Sequence, residues 1–218
     1  MTAPVPDGRG GPRESRIAMT PEHLPMEPPM DMLTHVREAL SAAALIPDEG
    51  HDLAVVHARR SRNFVESLAG RLRAFYHDDP EVAVLSKGFS GNQERFGLEE
   101  LLYDILVCRT AQTPSARGWK QLTVITRGIM AIESELAPSS RQAMYDFNKL
   151  VLSAAEYKVF VGPQVANERA FLAPLAKAAA CCSGIVFAFF IPHPSEWAAD
   201  RPLVVRGHLW RDGAWDAL

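Results

Sequence analysis

The spacing of hydrophobic positions changes along the chain, and these changes predict its elements. Apolar residues at helical spacing predict helices from Met32 to Leu45 and from about Leu53 to Tyr76. After the Asp-Asp-Pro turn at 78–80, short apolar runs predict strands instead. These strands are Val82 to Leu85, Leu101 to Cys108, a stretch within Leu122 to Leu136, Tyr157 to Val161, and Ile185 to Ile191.

Two further helices are expected between the later strands. Ser139 begins one, with Gln142 three residues on as in a capping box, and Asn167 caps another that runs through Ala180. The polar, Gly-rich segment Ser86 to Gly97 is expected to be a loop, and the C-terminal segment to supply one or two edge strands. Three strands in sequence favour an antiparallel meander, and the later alternation favours parallel strands. The prediction is an α/β fold with a mixed central sheet and flanking helices.

Composition narrows the class of protein. The 218 residues suit one domain, expected over 30–218, after a flexible tail over 1–29 that is rich in Pro and Gly. The net charge of −3 shows no global cationic field. Three cysteines make no disulfide framework and favour a reducing compartment. No apolar run approaches the roughly 20 residues of a membrane span, and no signal-peptide core is visible, so the expected location is the cytoplasm, with no membrane partner.

The candidate chemistry is a set of three acids on two apolar strands. Glu133 and Glu135 follow the run Ile129–Ile132, and alternation would place both side chains on one face of a strand. Asp104 stands within the preceding apolar strand. Buried carboxylates are costly without a positive partner, which favours a divalent-metal site. The alternative places both glutamates on the wet face of an edge strand, with Asp104 as a strand-end residue.

In this element order, an Asp on the second strand and Glu-x-Glu on the third resemble the PD-(D/E)XK, or restriction-endonuclease-like, nuclease superfamily. The resemblance covers roughly residues 53–161 and implies an α-β-β-β-α-β core. It implies that Asp104 and Glu133 bind Mg²⁺, or Mn²⁺, with the backbone carbonyl of Ser134 as a further ligand. Glu135 stands where the family usually has Lys, although some restriction endonucleases of the family carry Glu there. Its implied role is that of a general base or a ligand of a second metal ion.

Two other residues are candidates through the same resemblance. Some family members take an extra acid from the first helix, a role that would fall on Glu66; the alternative is an exposed ion pair with Arg62. Other members carry the lysine on the following helix, where this chain has Lys149. The helical wheel places Lys149 about 150° from the apolar stripe of that helix, which favours a solvated side chain.

The implied activity is metal-dependent hydrolysis of phosphodiester bonds, with DNA favoured over RNA. Double-strand cutting by so small a domain would favour a homodimer. The competing hypothesis is a non-catalytic binding or assembly module that keeps the nuclease fold. Lys87, Arg95 and the Gly-rich segment around them are weaker candidates for contact with nucleic acid. The side chains expected to contact phosphates are Arg59, Arg62, Arg73, Arg141 and Gln142. For the first three the alternative is a solvated helix face, and for the last two it is the orientation of a ligand.

Overall fold

The computed structural model describes residues 31–45, 52–97, 99–116, 118–197 and 202–218, so the tail expected over 1–29 lies outside the described residues. Within these ranges the chain forms five α-helices and seven β-strands. In chain order they are α1 (Met32–Ala44), α2 (Leu53–Phe75), β1 (Val82–Ser86), α3 (Ser90–Phe96), β2 (Ile105–Pro114), β3 (Gln121–Ser134), α4 (Ser140–Val151), β4 (Tyr157–Pro163), α5 (Glu168–Ala179), β5 (Ile185–Ile191), β6 (Arg206–Arg211) and β7 (Ala214–Ala217).

The seven strands form one mixed sheet in which each strand pairs with its neighbours in sequence order. β1, β2 and β3 are an antiparallel meander. β4 and β5 then run parallel to β3, and α4 and α5 make the two crossovers. β6 and β7 close the far edge with antiparallel pairing. The predicted α/β class, the mixed sheet and the helices on both sides are confirmed.

Alternating side chains divide the core into one layer on each face of the sheet. On one face, the strand residues of one parity pack against α1 and α2, for example Val84 and Ile132 with Phe64. On the other face, the opposite parity packs against α4 and α5, for example Ala131 and Phe160. The face of the sheet to which a strand residue points, which alternates along the strand, therefore determines which pair of helices it contacts.

The boundaries of several elements differ from the sequence prediction for local reasons. The segment Ser86 to Gly97 contains α3, whose polar sequence carries no apolar stripe. β2 begins at Ile105 rather than Leu101, because a tight turn precedes it. Near Gly128 the third strand is continuous, with a shift of register opposite Val107 and Cys108. Asn167 caps α5 as predicted, through a bond from the backbone N–H of Ala170.

The β2–β3 hairpin extends well beyond the sheet. β1 pairs with β2 only as far as Arg109, and β4 pairs with β3 only from Met130 onward. The pairs between Thr110 and Pro114 on β2 and Gln121 and Ile125 on β3 therefore form a two-stranded arm. Its tip bears Trp119, which is 69% exposed.

No helix among the described residues is long and apolar enough to cross a membrane.

Candidate functional site

Asp104 and Glu133 meet at the end of the sheet where β2 begins and β3 ends. Ile105 and Ile132 are register partners in the antiparallel pair, so the residue before the first lies opposite the residue after the second. Asp104 has the parity of Leu106, and Glu133 has the parity of Ala131, so both side chains lie on the α4/α5 face. Asp104 Oδ2 accepts a hydrogen bond of 2.8 Å from the backbone N–H of Ser134. The two acids that the sequence singled out are brought together.

The backbone leading to Asp104 is strained. Leu102 has a φ of 65°, which leucine rarely adopts, and its side chain is 75% exposed. The N–H of Tyr103 donates to the carbonyl of Leu101 at 2.8 Å, closing a three-residue turn around Leu102. This turn interrupts the apolar run that predicted a strand from Leu101. It directs the chain into β2 at the point where Asp104 faces Glu133.

Glu133 is a buried carboxylate that is only half satisfied. The residue is 1% exposed, and its Oε2 accepts a hydrogen bond of 3.0 Å from Lys149 Nζ. Its other oxygen, Oε1, is buried without a hydrogen-bond partner. Burial and the nearby charge of Asp104 raise the pKa of Glu133 to about 8, although Lys149 opposes the shift. An orphaned buried oxygen of this kind is a position that an additional cation or proton would satisfy.

Lys149 lies between two carboxylates, with part of its side chain in solvent. Its Nζ is 2.8 Å from Asp146 Oδ1 and 3.0 Å from Glu133 Oε2, and 46% of the side chain remains exposed. The helical wheel placed it on the exposed face of α4, where it lies, and its long side chain reaches from there to both carboxylates. Partial burial alone would lower the pKa of Lys149, but hydrogen bonds and charge from Asp146 and Glu133 outweigh burial and raise it.

Asp146 is the residue that sequence reasoning missed. It lies on α4 one turn before Lys149, and its charge raises the pKa of both Glu133 and Asp104. Burial raises the pKa of Asp104, and Asp146 adds to that rise, while the Ser134 N–H and Lys149 oppose it. The available signal was the spacing i,i+3 of an acid and a lysine on the helix that follows the Glu-bearing strand.

Glu135 lies just beyond the end of β3 and is engaged locally. Its backbone N–H donates to Val161 at 3.0 Å, and its Oε1 accepts a bond of 2.7 Å from the N–H of Ala137. The expectation of two glutamates in one strand therefore differs from the structure, in which the strand ends at Ser134. Ser134 contributes its N–H to Asp104, whereas the ligand role predicted for its carbonyl stays a prediction.

Glu66 lies on α2, at the other face of the sheet. It is exposed, and a Cβ added at Gly88 would come within 3.0 Å of its Oε1, which places this carboxylate against the segment after β1. Its negative charge also opposes the lowering of the Arg73 pKa by burial. Glu66 and Lys149 thus belong to helices that cover opposite faces of the sheet.

The predicted phosphate-contacting residues do not form one surface. Arg73 is half buried and donates to Ser86 Oγ, and burial lowers its pKa despite the charge of Glu66. On α4, Arg141 Nε donates to Tyr145 Oη at 2.8 Å, and Gln142 is exposed in the same first turn. The remaining two residues of the prediction lie on α2, where Arg62 is exposed and Arg59 partly buried.

The donor set fits a hard divalent cation only in part. Carboxylate oxygens of Asp104 and Glu133 are ligands that Mg²⁺ prefers, and the orphaned Oε1 of Glu133 is available for such a bond. Among the described residues, however, no three His, Cys, Asp or Glu side chains are grouped so that they could hold a metal ion. A cation here would depend on two acids, with water or substrate oxygens completing its coordination.

Comparisons with family models, with curated proteins and with solved structures each found no match to this chain. The fold and the site therefore have to be interpreted from their own geometry.

Proposed function

We propose that this protein is a divalent-metal-dependent nuclease that hydrolyses phosphodiester bonds, with DNA favoured over RNA. The single observation that carries the proposal is the buried Glu133 beside the partly buried Asp104: the Lys149 amine lies on one oxygen of Glu133, and its other oxygen has no hydrogen-bond partner. Apart from α3, which lies between β1 and β2, the element order α2, β1, β2, β3, α4, β4 agrees with the order that the restriction-endonuclease-like resemblance implies.

The residues divide the chemistry between them. Asp104 and Glu133 would hold Mg²⁺, which when bound supplies a water of lowered pKa and neutralises charge on the reacting phosphate. Lys149 supplies a fixed positive charge, because the raised pKa keeps its amine protonated and unable to accept a proton near neutral pH. It would donate hydrogen bonds to the phosphate or the attacking oxygen. Asp146 orients that amine through its 2.8 Å ion pair.

Lys149 thus takes the position of the lysine that the Glu-x-Glu sequence lacks. Its amine reaches Glu133 from the helix after the strand, which is the migrated arrangement that the resemblance allows. Glu135 keeps the proposed role of a second ligand or a base only if its carboxylate leaves the Ala137 N–H.

The test is cleavage of supercoiled plasmid, linear duplex, single-stranded DNA and RNA with Mg²⁺ or Mn²⁺. We expect Glu133→Gln and Asp104→Asn each to lower the rate by about two orders of magnitude or more, as loss of a group that stabilises transition-state charge does. We also expect Lys149→Met to lower the rate, because it removes the positive charge beside Glu133. Lys177→Met, on the exposed face of α5, is its control. No cleavage of any substrate, or full activity in Glu133→Gln, would overturn the proposal.

The second candidate is a binding module that has kept this fold without the chemistry. It is favoured by one observation, namely that the Lys149 amine lies 3.0 Å from Glu133 Oε2 and supplies a positive charge to that carboxylate. In that case the protein would bind nucleic acid equally well in EDTA and in Mg²⁺. In calorimetry with Mn²⁺ or Ca²⁺, the wild type and Glu133→Gln would give the same result, because no metal ion binds at Glu133.

A further inference from the structure

A second concave site lies along the outer edge of β1, away from the acids at the start of β2 and the end of β3. It is an open cleft between the C-terminal end of α2, the outer edge of β1 and α3. Its walls carry two arginines, Arg73 and Arg95, and three aromatic rings, Tyr76, Phe89 and Phe96. None of these side chains belongs to the acid site, so the cleft has a chemistry of its own.

Both guanidinium groups are held in place by the protein but lack a carboxylate partner. Arg73 donates to Ser86 Oγ, and its Cζ lies 4.0 Å from the centroid of the Phe89 ring. Arg95 donates to the carbonyl of Pro80 at 2.9 Å, and its Cζ lies 5.1 Å from the centroid of Phe96. Within the described residues neither forms an ion pair with an acid, although the charge of Glu66 raises the pKa of Arg73.

Two buried donors without hydrogen-bond partners lie beside these cations. Arg73 Nε is buried and without a hydrogen-bond partner, and so is the hydroxyl of Tyr76. The one acid in the lining, Asp79, is already neutralised by Arg109, whose Nη2 lies 3.1 Å from its Oδ2. Guanidinium groups with spare N–H donors are suited to phosphoryl oxygens, which accept several hydrogen bonds at once.

The aromatic rings indicate what else the ligand carries. Phe89 is 42% exposed although it lies against an arginine, and Gly91 lies so close to it that an added Cβ would come within 2.8 Å of its Cε1. An exposed ring beside arginines offers a stacking surface for a flat heterocycle. At this edge of β1 the carbonyl of Val84 is already engaged, because Asn92 Nδ2 donates to it at 3.1 Å.

We propose that this cleft binds a nucleotide unit, with Arg73 and Arg95 on its phosphoryl group and Phe89 against its base, either as a free nucleotide or as part of a strand. The proposal does not depend on cleavage at the acid site. The ligand's phosphate supplies the charge that two unpaired guanidinium groups require, and its base covers the exposed ring.

The test is calorimetric titration of the whole protein in EDTA with dAMP, deoxyadenosine and inorganic phosphate, together with anisotropy of a labelled 12-nucleotide strand. EDTA prevents hydrolysis, so a failure of the nuclease proposal does not affect this result. We expect Arg95→Gln and Phe89→Leu each to weaken the binding of dAMP or of the strand by roughly tenfold or more. Arg71→Gln is the matched control, because Arg71 pairs with Glu38 in the groove between α1 and α2.

Each outcome decides the question. Binding of dAMP that the cleft variants weaken supports a free nucleotide, and binding of the strand alone, with the same loss, supports a nucleotide within a chain. Equal binding of phosphate and dAMP, binding of deoxyadenosine as tight as dAMP, or no ligand binding at all would overturn the proposal. Arg95 is exposed, so its variant reports on binding even if Arg73→Gln fails to fold.

Discussion

Glu133 combines almost complete burial with an ionisable group, and this combination governs how the site responds to pH. Its pKa is raised from 4.5 to about 8, first by burial and then by the charge of Asp104. The folded protein therefore holds a proton on Glu133 that the unfolded chain releases above about pH 4.5. The resulting contribution to stability is complete at low pH and is lost as the pH rises through the folded-state value.

We expect Glu133→Gln to raise the melting temperature relative to the wild type at pH 9 and to change it little at pH 5. The amide resembles the protonated carboxyl group, so it removes the unfavourable ionisation at high pH. Thermal unfolding in EDTA between pH 5 and pH 9 measures the difference, with Glu135→Gln as the control. A difference that stays constant over this range would contradict the prediction.

Lys149 is the compensating charge for the same site. Replacement by Met leaves Glu133, Asp104 and Asp146 without their shared cation. We expect a loss of about 1–3 kcal/mol of stability at pH 8, below the range for a fully buried pair because the lysine is partly exposed, and a smaller loss at pH 5. Chemical denaturation measures it, with Lys177→Met as the matched helical control; an equal effect of both variants would contradict this account.

At the scale of elements, the turn that leads into β5 depends on a glycine for steric reasons. Gly184 has a φ of 74°, and a Cβ added there would lie 2.3 Å from the carbonyl oxygen of Glu156. That carbonyl also accepts the N–H of Ile185 at 2.9 Å, so moving it would disturb the start of the β4–β5 pairing.

Gly184→Ala is therefore expected to cost about 2–4 kcal/mol, because backbone strain and a backbone clash act together. The control is Gly213→Ala in the β6–β7 turn, where φ is 82° but nothing lies within 4 Å of the added Cβ. Strain alone should cost that variant about 1 kcal/mol. Urea denaturation compares the two, and similar losses would show that the clash contributes nothing.

At the scale of the whole molecule, the sheet is strongly protected in its centre and open along the β2–β3 arm. The central strands β4 and β5 are paired on both edges and covered by helices on both faces. The arm has no strand on either side from Thr110 on β2 to Ile125 on β3. Leu122 and Ile125 on it are 48% and 42% exposed.

We expect amide hydrogen exchange in the arm to be faster by orders of magnitude than in the same two strands beside the acid site. A two-stranded ribbon is marginally stable alone, so its hydrogen bonds open without unfolding of the domain. Exchange followed by mass spectrometry of peptides from β2 and β3 measures the contrast, and β5 is the internal reference. Uniform protection along both strands would indicate that something covers the arm.

The sequence by itself determined the class of fold and most of its elements. The period of the apolar residues and the turn residues were sufficient because the central strands lie between two helix layers and α1, α2, α4 and α5 each have one buried face. Asp104 and Glu133 could be singled out because acids at the ends of apolar strands are conspicuous. Helix α3 was not predicted, since it covers the edge of β1 with polar groups such as Asn92 instead of an apolar stripe.

Only the tertiary structure decided which charged groups share the site. Strand register places Asp104 beside Glu133, and the packing of α4 brings Asp146 and Lys149 to the same carboxylate, while Glu135 binds the turn after the strand. Such partners depend on the packing of elements that are distant in sequence and on the reach of long side chains, which no local pattern encodes. The packing of distant elements likewise places Arg73 and Arg95 in one cleft.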